Sequence, residues 1–439
     1  MKDLTKGNEA RLIFNFAIPM LLGNVFQQMY SITDTVIVGR FIGKEALVAV
    51  GTSFPIIFTL VSFVIGISIG SSIVVSQYFG AKDMVNVKRA VNTLYIFLFC
   101  AAIVVTILGI SLCGPIFRKI DLPKEAYPQA RMYLLIYFSG IIFVFGYNGA
   151  SAILRGLGDS KTPLYFLILS TVSNALMALL FVVVFHWGVA GSAIATVIAQ
   201  AWVFFAIAWY MNKHDKVAKL SIRELQFSKV IFKQILRIGL PTGFQQTFVA
   251  LGMIALYGIV NRFGLEANAA YSVAGRIDTF ASMPAMTFAI ALSTFVGQNL
   301  GANIPERVHA GLKATFFMTS VVSVIMSLCS IFLGRQLMSI FTTDPNVIEI
   351  GKEYLMIVGS FYLVFSTMFV IGGVMRGAGD TLIPMFITLF SLWVIRIPLA
   401  YFFSRYQHMG VHGIWWAIPI AWVSGMILSY LYYSSGCWK

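Results

Sequence analysis

Twelve mainly apolar runs, interrupted by polar or Gly/Pro-bearing breaks, account for most of the chain: 12–38, 47–79, 91–117, 132–153, 163–186, 189–211, 238–260, 268–296, 314–334, 354–374, 382–403 and 411–433. A helix crosses the hydrocarbon core of a bilayer with roughly 20 such residues. The pattern therefore predicts an all-α polytopic membrane protein with twelve transmembrane helices. The second and eighth runs exceed that length and are expected to tilt or protrude. The start, Met1 to Arg11, is polar. The apolar stretch after it is too long for a removable signal peptide and lacks a small-residue cleavage site, so it is read as the first span.

Composition closes off the other classes. Of the 439 residues, 59% are hydrophobic and 11% charged, and the mean hydropathy is +0.84. A soluble protein carries roughly a quarter of its residues as charges, so a soluble globule, a disordered chain and a secreted disulfide scaffold are excluded. The net charge of +14 would suggest nucleic acid in a soluble domain; here it reflects basic loops, and no nucleic-acid partner is expected. With the N-terminus inside, nineteen of the 31 Lys and Arg fall in cytoplasmic segments, ten in outer loops, and Arg276 and Arg396 within spans. That bias predicts a multi-pass cell-membrane protein with both termini cytoplasmic. Seven of the nineteen lie in 212–237, where Ser221 and Glu224 have capping-box spacing ahead of Leu225, so an interfacial amphipathic helix is expected there. Cys100, Cys113, Cys329 and Cys437 show no metal or disulfide spacing.

The chain repeats itself. Arg155-Gly156-Leu157-Gly158-Asp159 recurs 221 residues later as Arg376-Gly377-Ala378-Gly379-Asp380, and Gln77 to Ala81 recurs at the same offset as Gln298 to Ala302. Arg40-Phe41 matches Arg262-Phe263 and Pro19 matches Pro241, both at 222. The expected organisation is an N-lobe at 1–211 with spans one to six, the basic linker at 212–237 and a C-lobe at 238–439 with spans seven to twelve. Each half has an even number of spans, so the two enter the membrane in the same direction and form two pseudo-symmetric six-helix bundles. Such architectures carry substrate between the lobes by alternating access, which points to a secondary transporter. The Arg-Gly-x-Gly-Asp segments are read as helix ends, with Asp159-Ser160 and Asp380-Thr381 capping the next helix. No GxxxxGK[ST] sequence supports ATP-driven transport, and no HExxH or GxSxG supports an enzyme.

Of 17 acidic residues, two are placed well within spans, Asp34 and Asp278. A central Asp or Arg costs roughly 2.5–3.5 kcal/mol on an insertion scale, so each needs a partner or a role. Asp34 either lies near enough to the interface to be hydrated or forms a fixed pair with a basic residue, or it alternates between charged and proton- or cation-bound states. Pro19, about four turns earlier, removes a backbone hydrogen bond and gives the first span a place to bend. Asn148 and Asn174 can supply carbonyl oxygens to the same site, with Gln27 and Gln28 nearby. Asp278 is two residues from Arg276, on a different helix face. It is read as a structural partner of Arg396 or, among Phe280, Met283, Met286 and Phe288, as an anchor for an organic cation on a soft apolar wall.

These residues resemble the multidrug and toxic compound extrusion (MATE) family over essentially the whole chain: the Pro19 to Asn24 opening, Thr33-Asp34-Thr35, Gln298 to Ala302, and both Arg-Gly-x-Gly-Asp turns, in order and spacing. The resemblance implies export of amphipathic, often cationic drugs or toxic metabolites in exchange for protons or sodium, by a protein that is not an enzyme and has no cofactor beyond the coupling ion. It also implies that Asp34, Asn148 and Asn174 form the N-lobe cation site and that Pro19 is the bend point. Gln27, Asp278, Phe280, Met283 and Met286 are the candidate substrate contacts, and a monomer is expected. Two departures favour protons over sodium: Ala178 stands where many members carry a second carboxylate, and the seventh span has no acid, with Glu353 only at the edge of the tenth. The alternative function is a flippase for a lipid-linked polar intermediate, which needs a strongly cationic cavity.

Overall fold

The computed structural model describes residues 2–119, 123, 125–214, 219, 226–405, 407 and 409–438. The Ser221/Glu224 capping box expected in the linker lies outside them. The described chain is helical throughout. In order, the helices are α1 (Glu9–Phe41), α2 (Lys44–Gly80), α3 (Met84–Lys119), α4 (Tyr127–Ser139), α5 (Ile141–Gly156), α6 (Lys161–Leu179) and α7 (Gly188–His214). After the linker come α8 (Lys229–Val260), α9 (Leu265–Gly301), α10 (Glu306–Ser339), α11 (Pro345–Gly359), α12 (Tyr362–Ala378), α13 (Leu382–Leu389), α14 (Ile397–Arg405) and α15 (Val411–Ser435). A π-helical stretch, Leu180–Val184, prolongs α6, and a second, Phe390–Arg396, joins α13 to α14. Among the described residues ten segments are long and apolar enough to cross a membrane alone, and two bent pairs, α4 with α5 and α11 with α12, raise the number to twelve if each is one span. The linker is shorter than expected: Lys229, Lys233 and Arg237 sit on the first turns of α8.

The fourth and tenth spans are each broken, by 50° at Gly140 and by 49° after Gly359. A break frees backbone carbonyls that need a partner away from water. Thr106 Oγ1 donates to the Phe138 carbonyl at 2.9 Å, and Ser327 Oγ donates to the Gly359 carbonyl at 2.6 Å. Both donor and acceptor recur at an offset of 221. The duplication seen in the letters is therefore also present in the backbone chemistry.

Other repeats behave the same way. Lys82 and Asn303, one residue past the two Gln-x-x-Gly-Ala turns, share a left-handed φ of 61° and 59°. In Arg-Gly-x-Gly-Asp each position has its own task. A side chain at Gly156 would meet the Ser72 carbonyl at 2.7 Å, and one at Gly377 the Ser293 carbonyl at 2.5 Å, so the first glycine admits a neighbouring helix backbone. The second glycine, Gly158 or Gly379, turns the chain at φ 81° or 96°. The Asp then caps: Asp159 Oδ1 accepts from the Lys161 and Thr162 amides at 3.0 Å each, and Asp380 accepts from the Ile383 amide at 3.4 Å and the Tyr432 hydroxyl at 2.6 Å. The capping reading holds for the aspartates, whereas Ser160 and Thr381 make no side-chain cap.

The chain forms two compact units, one of Met1–Asp3 with Ile18–Gly243 and one of Leu4–Ala17 with Phe244–Lys439. The division differs from a cut at the linker. It falls inside α1 one residue before Pro19 and inside α8 two residues after Pro241, where a missing N–H loosens the helix. In the first unit Gly66 and Gly70 of α2 lie against Gly239 and Gly243 of α8, backbone on backbone: a Cβ on Gly70 would stand 2.6 Å from the Gly239 nitrogen. This is the small-residue packing that lets membrane helices approach closely. In the second unit the Leu4 amide donates to Gln298 Oε1 at 2.9 Å. Arg307 binds Glu9 at 2.9 Å, the Gly7 carbonyl at 2.8 Å and Asn299 Oδ1 at 3.0 Å. Gln298 and Asn299 thus hold the segment ahead of α1.

Candidate functional site

In the first unit α1, α6 and α7 bring a set of oxygen-bearing side chains together. Asp34 of α1 is buried, and Ser192 of α7 donates its hydroxyl to Asp34 Oδ1 at 2.6 Å. One turn away on each helix the pattern repeats. Tyr30 donates to Thr196 Oγ1 at 3.2 Å, and Asn174 of α6 donates its amide to the same hydroxyl at 3.2 Å. The spacings of four, Tyr30 to Asp34 and Ser192 to Thr196, put each pair on one helix face. Tyr133 of α4 lies within electrostatic reach of Asp34 and Tyr30, and Tyr137, stacked on it at 6.4 Å, within reach of Tyr30. The result is one buried carboxylate bonded to a hydroxyl, with two further hydroxyls and an amide one turn along, hard oxygens suited to a proton or a small monovalent cation.

Asp34 and Asn174 each bond a hydroxyl of α7, Ser192 and Thr196, which stand one turn apart. Asn148 donates its amide to the Val144 carbonyl of its own helix at 2.8 Å. Ala178 is fully buried in an apolar cluster with Ile37, Val182 and Ala195. Pro19 is buried within α1, which stays helical through it. Gln27 is exposed. Sequence reasoning missed Tyr30, Ser192 and Thr196, whose only signal is the spacing of four on two separate helices.

The second unit gathers a different set. Asp278 of α9 lies within electrostatic reach of Arg396, Tyr354 and Tyr362. Tyr271 and Tyr354 pack on Trp415 with ring centroids 5.5 and 5.0 Å apart. Of the residues expected to wall the site near Asp278, Phe280 and Met286 are exposed while Met283 is buried. Arg276 is exposed, and Glu353 meets His412 at 3.4 Å on a half-exposed surface. Among the described residues no three His, Cys, Asp or Glu side chains gather as a metal site.

The family model for MatE matches twice, over residues 19–180 and again over 241–402, which is the internal offset of 222. The chain belongs to the MATE family. Among its relatives are the probable multidrug resistance proteins YoeA and YpnP of Bacillus subtilis (strain 168). YoeA is 33% identical over 434 residues, covering 97% of this chain and 93% of the relative. YpnP is 32% identical over 437 residues, covering 100% and 97%. A crystal structure of MATE in the bent conformation shares the fold with a TM-score of 0.94 at 23% identity, over 99% of this chain and 96% of that one. As a MATE protein the chain is an ion-coupled multi-pass membrane transporter of a multidrug resistance family, and MATE proteins are transporters rather than enzymes.

Proposed function

We propose that this MATE transporter exports amphipathic, cationic drugs or toxic metabolites in exchange for inward-moving protons, with sodium as the alternative coupling ion, by alternating access. The observation that carries the reading is the Asp34 network. A buried carboxylate hydrogen-bonded to Ser192 and flanked by Tyr30, Thr196 and Asn174 can take up and release one monovalent cation. Loading removes a net charge from an apolar helix bundle, and that change in charge is what biases α1 between two packings. The unit boundary beside Pro19 gives α1 a place to respond. The apolar surroundings of Ala178 supply no second carboxylate and favour the proton.

Exposed Gln27, Phe280 and Met286 are assigned to cargo contact; Met283, being buried, and Asp278, facing Arg396, are not. The transporter acts in the cell membrane as a monomer with both termini cytoplasmic, in line with the nineteen-to-ten distribution of basic residues. The deciding experiment is efflux of a fluorescent organic cation from proteoliposomes under separately imposed proton and sodium gradients. Efflux driven by the proton gradient alone supports the reading, efflux driven by sodium alone exchanges the ion, and efflux indifferent to both rejects coupled antiport.

A further inference from the structure

Two guanidiniums of the second unit gather on one aromatic ring at the ends of two spans. Arg262 lies in the short 3-10 turn Asn261–Phe263 that follows α8, and Arg405 is the last residue of α14. The apolar segments that carry them end at Phe263 and at Arg405, so both stand where a helix leaves the hydrocarbon. The guanidinium carbon of Arg262 is 5.9 Å from the centre of the Tyr401 ring, and that of Arg405 is 5.5 Å from the same centre. Arg405 also donates to the Tyr401 hydroxyl. A ring attracts one cation, and a second cation brought to the same ring is repelled by the first. Among the described residues neither guanidinium forms an ion pair that would offset this. Glu266, in the first turn of α9, accepts instead from the Asn346 amide at 3.1 Å.

The internal repeat shows that both halves do not need this arrangement in order to fold. Arg40-Phe41 matches Arg262-Phe263 at 222. The position matching Tyr401 is Leu179 at that offset and Leu180 at 221, and the position matching Arg405 is Val183 or Val184. On either count the first unit has the first arginine and lacks both the ring and the second arginine. The surroundings are apolar: Phe263, Leu265 and Phe402, beside the two arginines in sequence, are exposed. A guanidinium is planar and matches a phosphate with two parallel hydrogen bonds, and basic side chains at the ends of spans stand at headgroup level.

We propose that Arg262, Tyr401 and Arg405 form a binding site for the phosphodiester headgroup of an anionic phospholipid, at the boundary where α8 and α14 leave the membrane. The two arginines bind the phosphate, the ring holds both guanidiniums beside it, and Phe263, Leu265 and Phe402 meet the acyl chains. A zwitterionic headgroup would bring its own cation to two unpaired positive charges, so the site selects against it. On the topology proposed above this is the outer boundary. The site is independent of the cargo and of the coupling ion.

The test measures lipid retained by the purified full-length protein in native mass spectrometry, during titration with dioleoyl phosphatidylglycerol or with dioleoyl phosphatidylcholine. The wild type should hold one phosphatidylglycerol with a preference of about tenfold or more over phosphatidylcholine. Arg262→Gln and Arg405→Gln should each weaken it about fivefold, the effect of one basic residue at an anionic membrane surface. Tyr401→Leu, which keeps both charges and installs the side chain of the first unit, should weaken it about threefold. Arg40→Gln, which removes the matching arginine that has no such ring, should change it by less than about twofold. Equal retention of the two lipids would overturn the proposal, as would unchanged affinity in any of the first three variants or an equal loss in Arg40→Gln. Inorganic phosphate in excess should leave the lipid bound; displacement would assign the site to a free phosphate instead. Should a glutamine variant fail to fold, Arg262→Lys with Arg405→Lys, which keeps the charge without the planar fork, takes its place. It should weaken binding about threefold, and unchanged affinity there would likewise reject the site.

Discussion

Replacing Asp34 with Asn separates the coupling role of the carboxylate from its structural role. Asn has the same size and keeps a carbonyl oxygen facing the Ser192 hydroxyl, now 2.6 Å from Asp34 Oδ1. A hydrogen bond to a charged group contributes about 1.5–3 kcal/mol and a neutral one about 0.5–1.5, so the exchange costs folding about 1 kcal/mol, against a typical net stability of about 5–15. The variant should insert, fold and bind cargo. Its transport should fail for a different reason. One monovalent ion exchanged for one monovalent cargo cation moves no net charge, so a tenfold ion gradient contributes about 1.4 kcal/mol and sustains at most about tenfold cargo accumulation. Without the carboxylate the ratio falls to about 1. Proteoliposomes with a fluorescent organic cation, under tenfold proton and then tenfold sodium gradients, read this ratio directly, and fluorescence anisotropy checks that cargo affinity stays within about twofold. If Asp34→Asn still accumulates cargo in proportion to the imposed gradient, the assignment of Asp34 is wrong.

The remaining expectations concern the scaffold. Gly70→Ala places a methyl 2.6 Å from the Gly239 nitrogen, which cannot yield as a side chain would, so overpacking should cost about 1–3 kcal/mol and lower the melting temperature in detergent. Gly51→Ala in the same helix has open space around it and should raise stability by about 0.5–1 kcal/mol; the same thermal assay checks that the signs are opposite. Arg307→Ala removes the bonds to Glu9, Gly7 and Asn299 at once, and limited proteolysis should then cut ahead of α1 faster than in the wild type. Tyr432→Phe deletes the 2.6 Å donor to Asp380 and, on a half-buried pair, should cost about 1 kcal/mol by thermal shift.

The helices were legible in the sequence because a bilayer enforces them: backbone groups in hydrocarbon must bond within their own segment, so a sufficiently long apolar run admits little else. The duplication was legible too, since it rests on glycines and aspartates whose tasks leave no freedom. The side chain at Gly156 is excluded by a backbone carbonyl, and Asp159 is tied to two amides. Asp34 stood out by its cost in an apolar span. Its partners did not, because Ser192 and Thr196 are cheap in a membrane helix and as often bond their own backbone, as Thr279 does to the Gly275 carbonyl.

What the sequence hid was pairwise information that becomes readable once the offset of 221 to 222 is applied position by position. Thr106 and Ser327 differ in name but hold the same freed carbonyl at the same break. Their match follows from backbone chemistry, which accepts either hydroxyl. Asn174 and Arg396 stand on matching spans and are not equivalent, since one is neutral and the other permanently charged. The first kind of pair marks what both halves need in order to fold as kinked bundles. The second marks where the halves have parted.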